Sequence, residues 1–277
     1  MTGTARSIGL GLLLTIQVGL KADDGRTATF EKLRNAYPSM VLALSGDRVV
    51  LGGGTSLPWT TSETSNGKRS RSEILDNPSI ADQMEQEYLA VGPGLPPLPG
   101  HDPGRARNTA FFSALYGATA DEVRKNLVTV TWLAETKRIP LQFNGSHGAA
   151  AALTAVSAEL DRHPDLRRWV DRPAGTWLWR KIAGTDRLSP HAWGIAMDIN
   201  ADQADYWLWD GWGKDSLIPY RNRIPLELVG IFERHGFIWG GRWCHYDTMH
   251  FEYRPELLTG LDERASSHKP CSATLKK

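Results

Sequence analysis

Apolar residues return at helical spacing in three stretches of the chain. Residues 119–136 and 148–162 place apolar side chains three and four positions apart, and residues 225–235 do the same between Pro225 and Gly236. A proline at the first turn and a glycine just past the last turn are typical of helix ends. These patterns predict three helices.

Short apolar runs between turn residues predict strands. The most regular are residues 195–199, 237–239 and 250–253, and residues 49–51 form another short run before three glycines. Runs of this length, bounded by glycine and polar residues, are typical of strands. Together with the helices they predict an α+β fold, in which an antiparallel sheet is flanked by helices.

The chain divides into four segments by composition. Residues 1–22 contain a basic residue, an apolar run and a small residue near the end, as in a signal peptide. Residues 23–104 form an N-terminal region that ends in a proline- and glycine-rich linker, residues 105–258 a main domain, and residues 259–277 a polar tail. We therefore expect a periplasmic or secreted protein, with membrane contact only through the N-terminal segment if it is not cleaved.

The charge balance excludes one class of partner. The 277 residues include 32 lysines and arginines against 31 aspartates and glutamates. Because the net charge of the chain is close to zero, it does not attract polyanions, and nucleic acid is not an expected partner. We also expect a monomer. Most of the 11 tryptophans are expected in the core, while Trp207 and Trp209 are candidates for the wall of a binding groove.

The densest candidate chemistry lies in Ser-Pro-His-Ala-Trp-Gly-Ile-Ala-Met-Asp at residues 189–198 and in Asp-Thr-Met-His-Phe-Glu at residues 247–252. His191, Asp198 and His250 offer two imidazoles and one carboxylate. Zinc accepts these ligands, and a catalytic zinc site keeps its fourth position for a water molecule that the metal acidifies. A buried histidine and an unrelated surface carboxylate would show the same residue types.

Residues 191–200 read as a strand, which places a condition on such a metal site. Side chains seven positions apart in a regular strand point to opposite faces. His191 and Asp198 can therefore bind one ion only if a turn or bulge intervenes, and Gly194 is the candidate position. The sequence thus predicts an irregular backbone between these two residues.

The motifs resemble those of zinc peptidases of the bacterial cell wall. Besides the two segments above, the chain contains Gly-Phe-Ile-Trp-Gly-Gly-Arg-Trp at residues 236–243. Three motifs in this order are similar to those of D-alanyl-D-alanine carboxypeptidases of the vancomycin-resistance type and of L-alanyl-D-glutamate endopeptidases. The resemblance is strong over residues 176–256 and loose over residues 102–175, and it implies the same α+β fold.

The resemblance also implies roles for individual residues. It implies zinc bound by His191, Asp198 and His250. It further implies Asp247 as the catalytic carboxylate that takes a proton from water, and Arg180 as the cation that stabilises the oxyanion. The alternative for Arg180 is stacking on a neighbouring tryptophan or a surface ion pair.

Three further residues are each compatible with two roles. Ser189 is a candidate substrate contact or a turn residue before Pro190. His245 is a second candidate for substrate binding, or a residue that holds the base, because on a strand it would share a face with Asp247. Glu252 is either a partner that orients a ligand histidine or a solvated residue of an edge strand.

The resemblance implies hydrolysis of a peptide bond in the peptidoglycan stem peptide, with peptidoglycan or muropeptides as partners. Asp247 favours the L-Ala-D-Glu endopeptidase over the D-Ala-D-Ala carboxypeptidase, because the carboxypeptidases often have glutamate at that position. Two alternatives stay open, a non-catalytic zinc-containing wall-binding protein and a D-dipeptidase. Asp247 argues against the first, since a structural zinc site is normally closed by four protein ligands.

Overall fold

A computed structural model describes residues 24–60, 69–90, 97–209, 211 and 218–258. In these ranges helices lie beside three antiparallel sheets, which confirms the predicted α+β class. The predicted signal peptide, the first part of the predicted linker and the predicted tail lie outside the described residues. No helix within the described ranges is long and apolar enough to cross a membrane.

The first sheet follows an N-terminal helix. Helix α1 (Asp24–Ala36) packs against strand β1 (Val41–Ser45), and β1 pairs with β2 (Arg48–Leu51). Strand β2 pairs in turn with β3 (Ser56–Pro58), and both pairings are antiparallel. The strand predicted at residues 49–51 is therefore confirmed.

Three helices follow this sheet, α2 (Arg71–Asp76), α3 (Ile80–Glu85) and α4 (Thr109–Tyr116). Helices α2 and α3 each begin after a serine whose hydroxyl accepts a backbone N–H three residues on. The acidic residue at that third position accepts the N–H of the serine in return. Such reciprocal caps satisfy donors that a helix start leaves free, which helps two helices of only six residues to form.

The helix predicted over residues 119–136 is wrong beyond its first two turns. Thr119 caps helix α5 (Ala120–Asn126), and the chain then enters strand β4 (Leu127–Trp132), which pairs with β5 (Ile139–Asn144). The β4 sequence Leu-Val-Thr-Val-Thr-Trp is rich in β-branched residues. These residues lose side-chain freedom in a helix and pack well in a strand, so the hairpin is the favoured structure.

The third sheet contains the three strands predicted near the motifs. Strand β8 (His250–Tyr253) lies between β6 (Ala196–Asp198) and β7 (Phe237–Trp239), and both neighbours are antiparallel to it. The register places Asp198 directly opposite His250. The predicted strands are thereby confirmed, and two candidate metal ligands meet across one strand pair.

The other two predicted helices are confirmed. Helix α6 (Ala149–Leu160) packs on β4 and β5, and helix α7 (Leu226–Arg234) packs on α6 and β7. The apolar side chains of both helices belong to the main hydrophobic core. This packing supports the third sheet from one side.

Hydrogen bonds as well as apolar contacts join the N-terminal region to the third sheet, to helix α7 and to the turn after β8. The buried Tyr37 hydroxyl donates to Glu256 at 2.7 Å. The buried Tyr88 hydroxyl donates to Glu233 at 2.6 Å and accepts the backbone N–H of Trp239 at 2.8 Å. The predicted domain boundary near residue 104 stays a prediction.

Candidate metal centre

The backbone between the first two predicted ligands is irregular. Pro190–Trp193 form a 3₁₀ turn, Gly194 is left-handed with φ of 69°, and β6 begins two residues later. A Cβ atom at Gly194 would lie 2.8 Å from Leu127 Cδ2, so both conformation and space require glycine. The strand predicted for residues 191–200 is wrong at its start, while the predicted turn at Gly194 is confirmed.

Ser189 lies at the start of this turn. Its buried hydroxyl accepts the backbone N–H of His191 at 3.4 Å, as a capping residue does. Its own backbone N–H donates to the carbonyl of Arg180 at 3.0 Å. Ser189 thus positions His191 and ties the Arg180 segment to the site, while its contact with substrate stays a prediction.

The fold brings the three predicted ligands together. Asp198 Oδ1 lies 2.9 Å from His250 Nδ1 and 3.3 Å from His191 Nε2. One donor atom from each residue lies within 4.8 Å of the others. Ligand bonds of about 2.0–2.2 Å to one ion place the ligand atoms roughly 3–4 Å apart, so this spacing suits a shared metal ion.

Each imidazole has an acceptor behind its other nitrogen. The Thr176 carbonyl lies 2.5 Å from His191 Nδ1, and Glu252 Oε2 lies 3.6 Å from His250 Nε2. With a metal ion bound, an acceptor at that position would hold the proton there and leave the lone pair of the opposite nitrogen for the ion. Glu252 is fully buried, which excludes the solvated role considered for it.

Two arginines hold Glu252 in place. Arg107 donates to both carboxylate oxygens at 2.5 to 3.0 Å, and Arg254 Nη1 lies 3.4 Å away. Burial by itself would raise the pKa of Glu252, but Arg107, His250 and Arg254 hold it well below its usual range. The carboxylate behind His250 is therefore charged across the physiological pH range.

The site formed by His191, Asp198 and His250 favours a bound positive charge. Burial would raise the pKa of Asp198, but His191 and His250 hold it well below its usual range. Burial would lower the pKa of His250, yet its hydrogen bonds to Asp198 and Glu252 raise it to about 9. A divalent cation can replace the proton held here, since metal ligands must be deprotonated to bind.

Asp247 makes a close backbone contact with Gly240. Its N–H donates to the Gly240 carbonyl at 3.1 Å, and a Cβ atom at Gly240 would lie 2.4 Å from the Asp247 carbonyl oxygen. The first glycine of the Trp-Gly-Gly motif is therefore needed for this contact. Burial raises the pKa of Asp247 to about 6, although the charge of His250 opposes the shift.

The residues present fit a catalytic zinc ion. Two histidine nitrogens and one carboxylate oxygen form the set, and no fourth His, Cys, Asp or Glu joins it in the described part of the chain. Asp247 Oδ1 is buried and has no hydrogen-bond partner among the described residues. An open ligand set beside an unpartnered acceptor is the arrangement expected where a metal and a water molecule bind.

Arg180 is exposed, and its charge acts on a residue next to Asp247 in the structure. Tyr206 forms a backbone bridge with Asp247. Burial and the charge of Asp247 raise the pKa of Tyr206, while the charges of Arg105 and Arg180 oppose that rise. Arg180 and Asp247 thus act on the same group, and the oxyanion role of Arg180 stays a prediction.

His245 is held by Asp102, a carboxylate that the motifs did not reveal. Asp102 is fully buried, accepts the His245 N–H at 3.0 Å and lies 2.9 Å from Nδ1. Burial would raise the pKa of Asp102, but His245 and Arg105 lower it to about 2. Trp207 packs edge-on against His245 with ring centres 4.8 Å apart, and Trp209 is exposed. Substrate contact by His245 stays a prediction.

An open triad of two histidines and one aspartate, beside a buried carboxylate, has the composition of a hydrolytic metal site. In this chain it lies on an α+β fold. Residues 183–253 match the family model described as D-alanyl-D-alanine carboxypeptidase. The match confirms the family predicted from the motifs. Searches of curated proteins and of solved structures gave no significant match.

Proposed function

We propose that the chain is a zinc-dependent peptidase that hydrolyses a peptide bond of the peptidoglycan stem peptide. The observation that carries the proposal is the open triad beside Asp247, whose Oδ1 oxygen is buried without a hydrogen-bond partner among the described residues. The family match over residues 183–253 supports a peptidase with a cell-wall substrate. The signal peptide expected at residues 1–22 extends the proposal to action in the periplasm or outside the cell.

Within this proposal each residue of the centre has one task. His191, Asp198 and His250 hold the zinc ion. When bound, the ion supplies a positive charge that polarises a carbonyl group and acidifies water. Asp247 accepts a proton from the attacking water and returns it to the leaving amine. Burial raises the pKa of this carboxyl group, and the charge of a bound ion would oppose that rise.

Arg180 is the proposed donor to the oxyanion. Its exposed side chain is accessible to a substrate, and its carbonyl is fixed to Ser189 at 3.0 Å, two residues before His191. A planar guanidinium can direct two N–H groups at a developing negative charge. The anchoring of the backbone limits how far this guanidinium can move from the centre.

The proposed bond is the one between L-alanine and D-glutamate. Aspartate at position 247 favours this endopeptidase activity over removal of terminal D-alanine, and the family description keeps the carboxypeptidase as the alternative. A purely structural zinc site is disfavoured, because such a site is normally closed by four protein ligands and three join here.

Digestion of defined muropeptides tests the proposal. Zinc-loaded protein is incubated with muropeptides that carry a complete pentapeptide stem, and the products are weighed by mass spectrometry. Endopeptidase action releases a tetrapeptide that begins with D-glutamate, whereas carboxypeptidase action releases free D-alanine. Asp247→Asn with the same zinc content is the matched control. Absence of cleavage by the zinc-loaded protein would refute the peptidase assignment.

Elemental analysis tests the ligand set separately. We expect one zinc ion per chain, because the triad forms one site. His191→Ala and His250→Ala should both lose it, since each removes one of three protein ligands. Full zinc occupancy in both variants would show that the ion binds elsewhere.

A further inference from the structure

A cavity of about 810 Å³ opens beside the candidate metal centre. Helix α2 of the N-terminal region forms one wall, and the segment before α4 forms another. Residues 182–188 and the pair Cys244 and His245 form further walls. Leu188 lies three residues before His191 and His245 lies two residues before Asp247, so two of the lining segments continue directly into the candidate metal centre.

Four arginines line this cavity; Arg107 is paired with Glu252, and the other three come from separate segments. Arg71 begins α2, Arg105 precedes α4, and Arg187 precedes the turn that carries His191. Arg71 and Arg105 each lie 4.0 Å from Asp102 Oδ2, and Arg187 Nε lies 3.5 Å from an oxygen of the exposed Asp76. All three guanidinium groups are therefore within reach of a ligand in the same space.

The neighbouring carboxylates leave these cations incompletely satisfied. Asp102 already accepts two hydrogen bonds from His245, and 4.0 Å is longer than a hydrogen bond. The Nε groups of Arg71 and Arg187 are buried without a hydrogen-bond partner among the described residues. Burial and the charge of Arg105 lower the pKa of Arg187. Arg71 Nη2 donates to Gln86 at 3.3 Å and to the Asp102 carbonyl at 3.2 Å. The charges of Arg105 and Arg71 oppose that of Arg187, and an anionic ligand in the cavity would offset this repulsion.

We propose that Arg71, Arg105 and Arg187 form a subsite for a carboxylate group of the substrate peptide. This inference rests on the proposed peptidase function. Guanidinium groups bind carboxylates through paired hydrogen bonds, and a stem peptide carries free carboxylates at its end and on D-glutamate. The scissile bond lies at the triad while the carboxylate lies in the cavity. Since Arg71 precedes the family segment 183–253, the N-terminal region takes part in substrate selection.

The test removes charge from the ligand and from the protein in turn. The ligands are the peptide L-Ala-D-Glu-L-Lys-D-Ala-D-Ala, its D-isoglutamine form and its C-terminal amide. The proteins are wild type, Arg71→Gln, Arg187→Gln and the control Arg34→Gln, whose arginine is an exposed residue of α1. For the wild type, one of the two amidated peptides should have a kcat/KM roughly tenfold or more below that of the acid peptide, mainly because its KM is higher. The position of the amide in that peptide identifies the carboxylate that the subsite binds.

The two cavity variants should lose this preference for the acid. Arg71→Gln and Arg187→Gln should cleave the acid peptide as slowly as the wild type cleaves the discriminating amide, and Arg34→Gln should behave as wild type. An equal loss on all three peptides, or full discrimination in both variants, overturns the subsite. If a melting curve shows that a glutamine variant is unfolded, the lysine variant of the same residue replaces it. Lysine keeps the charge without the planar fork and should retain part of the preference.

Failure of the peptidase function gives a different result from failure of the subsite. If zinc-loaded wild type cleaves none of the peptides, the same peptides and variants are compared by titration calorimetry. The acid should then bind more tightly than one amide, and the preference should disappear in Arg71→Gln and Arg187→Gln. Equal binding of all three peptides, or no binding, overturns the subsite.

Discussion

Replacing Glu252 by glutamine tests whether the ligand histidine depends on the ion pairs behind it. The change keeps the shape of the side chain and removes its charge. Glu252 accepts hydrogen bonds from Arg107 at 2.5 to 3.0 Å and lies 3.6 Å from His250 Nε2. Loss of a carboxylate behind a metal-binding histidine costs roughly 10–100-fold in metal affinity. That factor corresponds to about 1.4–2.8 kcal/mol.

The same change lowers stability by a separate route. Arg107 and Arg254 are both buried, and breaking a buried ion pair costs about 3–5 kcal/mol because a charge is left without its partner. In the Glu252→Gln variant, Arg254 would still form its ion pair with Glu256 at 2.5 Å. Arg107 has no second carboxylate within ion-pair distance in the described part of the chain. We therefore expect most of the loss to arise at Arg107.

Zinc competition and denaturant unfolding measure the two effects independently. Zinc affinity is obtained by competition with a chromophoric chelator, and the free energy of unfolding is measured on metal-free protein. Glu256→Gln is the matched control, because Glu256 is equally buried and also pairs with Arg254. It should lower stability and leave zinc affinity unchanged. Equal zinc affinities for Glu252→Gln and Glu256→Gln would refute the coupling to His250.

Three other changes test the remaining roles. Asp247→Asn should keep zinc and lower kcat roughly 10²–10⁴-fold, because the amide cannot accept the proton. Near-normal turnover of this variant in steady-state assays would remove Asp247 from the mechanism. Arg180→Lys should lower kcat about a hundredfold with little change in KM, whereas an effect on KM alone would indicate ground-state binding. Asp102→Asn should cost about 2 kcal/mol at pH 7, from a pKa of about 2 against an ordinary 3.8. A lowered pKa stabilises the fold above pH 3.8, so the difference from wild type in denaturant unfolding should shrink as pH falls to about 2. A constant difference would contradict this linkage.

The candidate ligands were predicted from their residue types and from the resemblance of the motifs, and strand geometry added one condition. A spacing of seven residues is incompatible with one face of a regular strand, so the pattern required a turn. The structure contains that turn at Gly194 and places Asp198 opposite His250. Local rules predicted the turn and the strands beside the candidate ligands, whereas the assignment of the ligands themselves depended on the resemblance.

The β4–β5 hairpin illustrates where local rules fail. Residues 119–136 carry apolar side chains at spacings that suit a helix, and Thr119 does cap one. The change from helix to strand at Leu127 depends on pairing with β5 and on burial of Trp132, whose ring N–H donates to the Val170 carbonyl at 2.8 Å. Contacts with residues this far along the chain leave no periodic signal within residues 127–132.

The partners of His245 and Glu252 could not be read from the motifs for the same reason. Asp102 acts on His245 across 143 positions, and Arg107 acts on Glu252 across 145. A fragment limited to residues 183–253 would keep the three candidate ligands and Asp247 but lose both of these partners. Glu252 would then be a buried carboxylate without its main cation, and His245 would lose the group that fixes its ring. The segment that contains Asp102 and Arg107 is therefore as necessary to the geometry of the metal centre as the motifs that reveal it.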